Sequence, residues 1–462
     1  MRKRHDKRMF GLLCAGVLAG SAVFAGSAPA AAQVADAPRA AGTARAHAGA
    51  EDIRDRLESI PGMKVVRATE QQGRPLYELT YAQPVDHRNP AAGTFDQHLI
   101  LWHKATDKPT VFFTPGYSLP SDLSDPSYDH PLTQILDANQ ISVEHRYFGD
   151  SRPSAGEDWS KLTVQQEAAD EHRITRALRG IEKGKWIGTG SSKGGAVATY
   201  HERFYPDDLD GVVAVVAPND TPKQGDRGYE RFFKTVGTAE CRDAVNAVQR
   251  EMLVRRDALL PAFEAQAKAE GITFDVLGSA DRAYEYAVLD QVWGFWMNGT
   301  TADCATVPDA KKATDDELYS WSKEHGLYIF GDGEAAPGGG AAFNRQAATQ
   351  LGWPALRNEH LDGLLRHPGL KQPNSLLPAA VQGSYDGRTA TDVDRWVRTK
   401  GERMLFLYAG NDPWSAEQFT PSGHDSHRYV APGANHWQAF EKLPPEQLAE
   451  AVGTIKRWAN VK

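Results

Sequence analysis

The sequence predicts an α/β fold: a mostly parallel sheet covered by helices and interrupted by an inserted helical cap. Three observations carry this expectation. Short apolar or β-branched runs alternate with helical spacings over residues 51–219, the segments from about Asn219 to Ala390 turn helical and aromatic-rich, and the strand pattern then resumes. Alternation of this kind builds a sheet with helices on both faces. Because both flanks read as parts of one sheet, the middle is an insertion, giving 51–219 and 391–462 as the core and 220–390 as the cap.

The N-terminus stands apart. Arg2, Lys3, Arg4, Lys7 and Arg8 precede an apolar Ala/Gly-rich run from Met9 to Ala25, and Ala30-Ala31-Ala32 fits a small-residue cleavage site. Residues 1–32 therefore read as a secretory signal peptide, and the run is too short and Gly-rich for a membrane anchor. Residues 33–50 are Ala-rich and aperiodic, a linker or short pro-segment. The strands expected next are Leu76–Tyr81, Phe95–His103, Thr110–Thr114, Gln140–Glu144, Lys185–Gly188 and Leu209–Ala217, with helices over 164–180 and Gly195–Phe204. After the cap, Arg403–Tyr408 and His427–Val430 are strands, and 445–459 closes the chain as a helix.

Composition narrows the function classes. The chain has 462 residues, 41% hydrophobic and 24% charged, with a net charge of −8. That excludes a disordered polymer or a cysteine-dense mini-domain. The acidic balance argues against a nucleic-acid partner. Export would remove five basic residues and one acid, taking the charge to −12. Of three cysteines, Cys14 leaves with the signal, and Cys241 and Cys304 remain as an expected disulfide inside the cap. No histidine spacing or HExxH supports a metal site, and neither a dinucleotide fingerprint nor a Walker A motif is complete around Gly184–Lys193, so no cofactor is expected.

The chemistry is expected where an apolar strand meets a helix that opens on small residues. Gly190-Ser191-Ser192-Lys193-Gly194 is the chain's G-x-S-x-G. A serine on such a turn is exposed at a helix N-terminus, and glycines are needed where neighbouring side chains would clash. A serine hydroxyl requires a base, and the base an orienting carboxylate. In chain order, Asp412 follows Phe406–Asn411 at a strand end and His436 lies in the loop before the last helix; His424 and His427 are the rival bases. The catalytic set is thus Ser192, Asp412 and His436. The backbone N–H groups of Lys193 and of Tyr117, in the Thr114–Tyr117 turn, form the expected oxyanion hole. The Lys193 side chain is read as incidental.

These residues carry a resemblance. Ser191–Gly195, the Glu144-His145-Arg146-Tyr147-Phe148-Gly149 segment, the Gly410–Trp414 loop and the aromatic stretch Tyr284–Trp296 resemble the secreted actinomycete prolyl tri/tetrapeptidyl aminopeptidases. They are more distantly similar to the prolyl carboxypeptidase and dipeptidyl-peptidase group, which usually has Tyr where this chain has Lys193. The resemblance implies an α/β-hydrolase core with a helical cap and a Ser-Asp-His triad. It also implies release of short peptides from free N-termini, with proline before the scissile bond; separately, the chain is expected to be a secreted monomer without a membrane anchor. Under that reading Glu144, Glu202, Asp220 and Glu230 are candidates to bind the substrate α-ammonium, and Trp293, Phe295 and Trp296 to line a proline pocket. Glu144, His145 and Arg146 read more naturally as a buried structural pairing. The alternatives are an esterase or lipase with the same triad and a dipeptidyl- or carboxypeptidase-type prolyl peptidase.

Overall fold

Short strands of four to six residues, buried at nearly every position, fix the centre of the molecule. The computed structural model describes residues 52–71, 73–119, 129–153, 158–222 and 225–462; the expected signal peptide and linker lie outside the described residues. Nine strands form one sheet: β1 (Met63–Gln71), β2 (Arg74–Pro84), β3 (Thr94–Trp102), β4 (Thr110–Phe113), β5 (Asn139–Val143), β6 (Trp186–Ser191), β7 (Gly211–Val215), β8 (Met404–Ala409) and β9 (His427–Ala431). Their order is β1-β2-β3-β5-β4-β6-β7-β8-β9. Pairing is parallel from β5 to β9 and antiparallel from β1 to β5. β8 reads Met-Leu-Phe-Leu-Tyr-Ala and is buried at every position. That is the pattern of a parallel strand covered on both faces. β1 was not among the expected strands, and the antiparallel third of the sheet is larger than the alternation implied.

Helices cover both faces. On one, α2 (Val164–Leu178), α3 (Lys193–Phe204) and α10 (Arg388–Thr399) bury Ile174, Leu178, Ala196, Ala198, Val393 and Val397. Thr163 caps α2 by accepting from the Gln166 N–H. On the other face, α1 (Pro131–Leu136) and α11 (Pro445–Trp458) supply Leu132, Leu136, Ile455 and Trp458. This is the three-layer α/β-hydrolase architecture.

Between β7 and β8 the chain builds a cap with its own core, formed by α4 (Arg227–Thr235), α5 (Ala239–Val254), α6 (Arg256–Glu270), α7 (Ala280–Asn298) and α8 (Asp315–Glu324), followed by the short α9 (Gly340–Gln346). Cys241 at the start of α5 is bonded to Cys304, just beyond α7, with Cα atoms 5.3 Å apart. A boundary at residue 390 falls inside α10. Since α10 packs its Val393 and Val397 with the sheet-face helices, the whole helix belongs to the core.

Candidate active site

The strand-to-helix turn after β6 is built from glycines because nothing larger fits. A Cβ on Gly190 would meet the Gly194 carbonyl carbon and the Thr114 oxygen at 2.4 Å, and one on Gly194 would meet that same oxygen at 2.1 Å. Between them Ser192 adopts φ +56°, a left-handed conformation that serine rarely takes. Its N–H donates to the Val215 carbonyl at 2.8 Å, and its own carbonyl accepts from Ala196, so the residue ends the strand and begins α3 in one step. Held this way, the side chain sits where the free N–H groups and dipole of α3 favour negative charge.

Two further loops converge at the same C-terminal edge of the sheet. Asp412 follows β8 and is fully buried. Its carboxylate accepts from the Trp414 N–H at 3.1 Å and the Ser415 hydroxyl at 2.7 Å. His436 lies in the loop after β9, with Nδ1 2.9 Å from Asp412 Oδ2. The separation is that of a hydrogen-bonded pair, yet the ring does not aim its Nδ1 at that oxygen in hydrogen-bond geometry. Such contacts commonly tighten only when substrate binds. The Asp412 and His436 loops are joined by Gly410 N–H to Ala431 O and Asn411 N–H to Ala434 O. The cap holds the histidine loop as well. His436 N–H donates to the Met297 carbonyl, Asn435 Nδ2 to the Asn298 carbonyl and Trp437 Nε1 to Asn298 Oδ1, all at the end of α7. His424 and His427 lie before or at the start of β9, the opposite end from this cluster.

The Thr114–Tyr117 turn packs onto the start of α3. Thr114 Oγ1 donates to the Gly194 carbonyl at 3.0 Å, and the Tyr117 carbonyl accepts from His145 N–H at 3.2 Å. The Lys193 side chain is not incidental. It is buried, its Nζ donates to the Gly116 carbonyl at 2.6 Å and lies 3.5 Å from Glu167 Oε1. Burial pushes the Lys193 ammonium below its usual range. Burial also opposes ionisation of Glu167, but Lys193 and His145 outweigh it and bring that carboxyl down to about 2.

The substrate-binding candidates scatter. Glu144 is committed to the backbone: it accepts from the N–H groups of Leu119, Asp150 and Ser151 and from the Ser151 hydroxyl. Nearby, Arg146 forks onto Asp170 at 2.6 and 2.7 Å, so the Glu144–Gly149 segment is a structural latch. Glu202 sits ten residues beyond Ser192 along α3, roughly 15 Å away at the helical rise, and burial raises its pKa well above the usual carboxylate range. Glu230 is on α4, facing Lys234 and Arg357 at 3.8 Å. Asp220 is half-buried, accepts from Tyr229 Oη at 2.5 Å and is raised to about 7 by desolvation.

Of the three aromatics, Trp293 packs at 4.9 Å from Trp414, two residues past Asp412, whereas Phe295 and Trp296 pack on each other, with Phe295 also against Trp321 in the cap. An aromatic line then runs from Trp414 through Trp353 and Phe343 to Tyr117, with the Lys371 ammonium 4.5 Å from Trp293 and 5.2 Å from Trp353. Trp353, Phe343 and Lys371 had no motif to mark them.

Comparison with known proteins bears on this site. A family model described as PS-10 peptidase S37 matches residues 46–462. The chain is 46% identical over 98% of its length to a prolyl tri/tetrapeptidyl aminopeptidase of Streptomyces mobaraensis, of which it covers 92%. It is 29% identical, over 32% of each chain, to the Caenorhabditis elegans protein named Prolyl carboxy peptidase like protein 5.

Proposed function

Because the chain belongs to the PS-10 peptidase S37 family and is a serine peptidase, we propose that it is an exported exopeptidase that releases tri- and tetrapeptides from free N-termini after proline. Ser192 is the nucleophile, His436 its base and Asp412 the orienting carboxylate, with the N–H groups of Lys193 and Tyr117 as the oxyanion hole. The observation that carries this reading is the left-handed Ser192 on its glycine-walled turn, a strain that folding tolerates only when held by its surroundings. The substrate class rests on the 46% identity to the Streptomyces enzyme.

The mechanism follows from the residues. Imidazole Nε2 of His436 takes the Ser192 proton as Oγ attacks the proline carbonyl carbon. The developing oxyanion is met by backbone N–H groups that need no reorganisation. Asp412, held by Ser415 and Trp414, fixes the imidazole tautomer and offsets the imidazolium charge. The imidazolium then protonates the leaving amine. Water, deprotonated by the same histidine, releases the peptide from the acyl-enzyme. The cationic-apolar N-terminus and the cap disulfide support export.

The test is an Ala-Ala-Pro chromogen with a free or an acetylated N-terminus. The free substrate should turn over at least 100-fold faster by kcat/KM; equal rates would defeat the exopeptidase reading.

A further inference from the structure

A lysine directly after the nucleophile is physically awkward. It lies at the positive end of the α3 dipole, and its side chain is 2% exposed, a costly burial for an ammonium. What it touches explains it. Nζ donates to the Gly116 carbonyl at 2.6 Å, faces Glu167 Oε1 at 3.5 Å and sits over the rings of Phe148 and Tyr117 at 4.9 and 5.7 Å. The Gly116 carbonyl and the Tyr117 N–H belong to one peptide unit. No cis peptide bond occurs among the described residues, so this unit is planar and trans, and its N–H points opposite its C=O. Anchoring the carbonyl therefore fixes the direction of the Tyr117 N–H. The anchor is needed because Gly116, at φ +86°, has the backbone freedom to let that peptide rotate.

We infer that Lys193 is a positioning residue, which aims the Tyr117 N–H at the oxyanion by holding the Gly116 carbonyl, with Glu167 beside its Nζ on the other side. This rests on the triad and oxyanion assignments above. The hydroxyl and N–H groups that meet the substrate are unchanged when Lys193 is replaced, so the loss should appear only where charge develops.

The experiment compares wild type, Lys193→Met and the double variant Lys193→Met/Glu167→Gln. The double variant removes the unpaired buried carboxylate that the single one leaves and so protects against a mere folding failure. The expected result in both is a fall in kcat of about 100-fold, the scale of losing one oxyanion donor, with KM within about twofold. A peptidyl-prolinal aldehyde, which forms a tetrahedral adduct, should lose affinity by a similar factor, while the product peptide should not. The thermal midpoint should recover in the double variant without recovery of kcat. Wild-type kcat in the double variant, or equal loss of aldehyde and product affinity, would overturn the inference. Failure of a fluorophosphonate to label Ser192 in wild type would instead overturn the underlying triad.

Discussion

Gly194→Ala sets two effects against each other at the first turn of α3. Alanine is the better helix former by up to about 1 kcal/mol, so propensity alone predicts a gain. The new Cβ, however, would lie 2.1 Å from the Thr114 carbonyl oxygen and 2.8 Å from the Pro115 carbonyl carbon. Both are backbone atoms that cannot rotate away, and normal contact requires the Thr114–Tyr117 turn to retreat by about 1 Å. Overpacking of this kind costs about 1–3 kcal/mol, and a 1 Å displacement of catalytic groups costs about 100-fold in rate. Sterics should win. The variant should lose roughly 1–2 kcal/mol in denaturant unfolding and about 100-fold in acylation by a fluorophosphonate. Gly453→Ala is the control, since Gly453 lies exposed in α11 with nothing within 4 Å of a Cβ, and it should gain stability. Wild-type acylation and stability in Gly194→Ala would refute the packing argument for the elbow.

Three other outcomes are expected. Replacing both Cys241 and Cys304 by serine opens a link between residues 63 apart, worth about 4 kcal/mol by loop-closure entropy; the cap should unfold at lower denaturant than the sheet, and an unchanged midpoint would count against the staple. Asp220, raised to about 7 by burial, is a carboxyl whose neutral form the fold favours. Its stabilisation is present below its unfolded pKa and is lost as pH rises toward 7, by up to about 4 kcal/mol; thermal midpoints from pH 4 to 8 should therefore be flatter in Asp220→Asn than in wild type, and parallel profiles would contradict this. Asn435→Ala removes the bond to the Asn298 carbonyl and the turn bond to Trp437 N–H, and should lower kcat about tenfold by loosening the His436 loop, whereas an unaltered kcat would show that the cap does not hold the histidine.

Much of the core was readable because its physics is local. β4, β7 and β8 are apolar or β-branched runs bounded by turn residues, and the Ser192, Asp412, His436 order follows the strand ends. β1 escaped because Met-Lys-Val-Val-Arg-Ala-Thr-Glu-Gln mixes polar residues through an edge strand, with Val66 62% exposed. Choosing among Trp293, Phe295 and Trp296 was beyond the sequence because α7 is buried nearly all round, leaving no polar stripe to orient it. The role of Lys193 depends on Glu167, 26 residues earlier, and on a backbone carbonyl, and neither leaves a sequence signature. Glu144 reads from the sequence as a structural acid more naturally than as an ammonium site, and its four donors, three of them backbone, agree with that.

The central claim is that Ser192 is the nucleophile of a serine peptidase. The most direct measurement is mass spectrometry of the protein after reaction with a fluorophosphonate, for wild type and Ser192→Ala. A single adduct on the peptide containing Ser192, absent from the alanine variant along with turnover of the free Ala-Ala-Pro chromogen, is the predicted result. An adduct elsewhere, or retained turnover by Ser192→Ala, would contradict it.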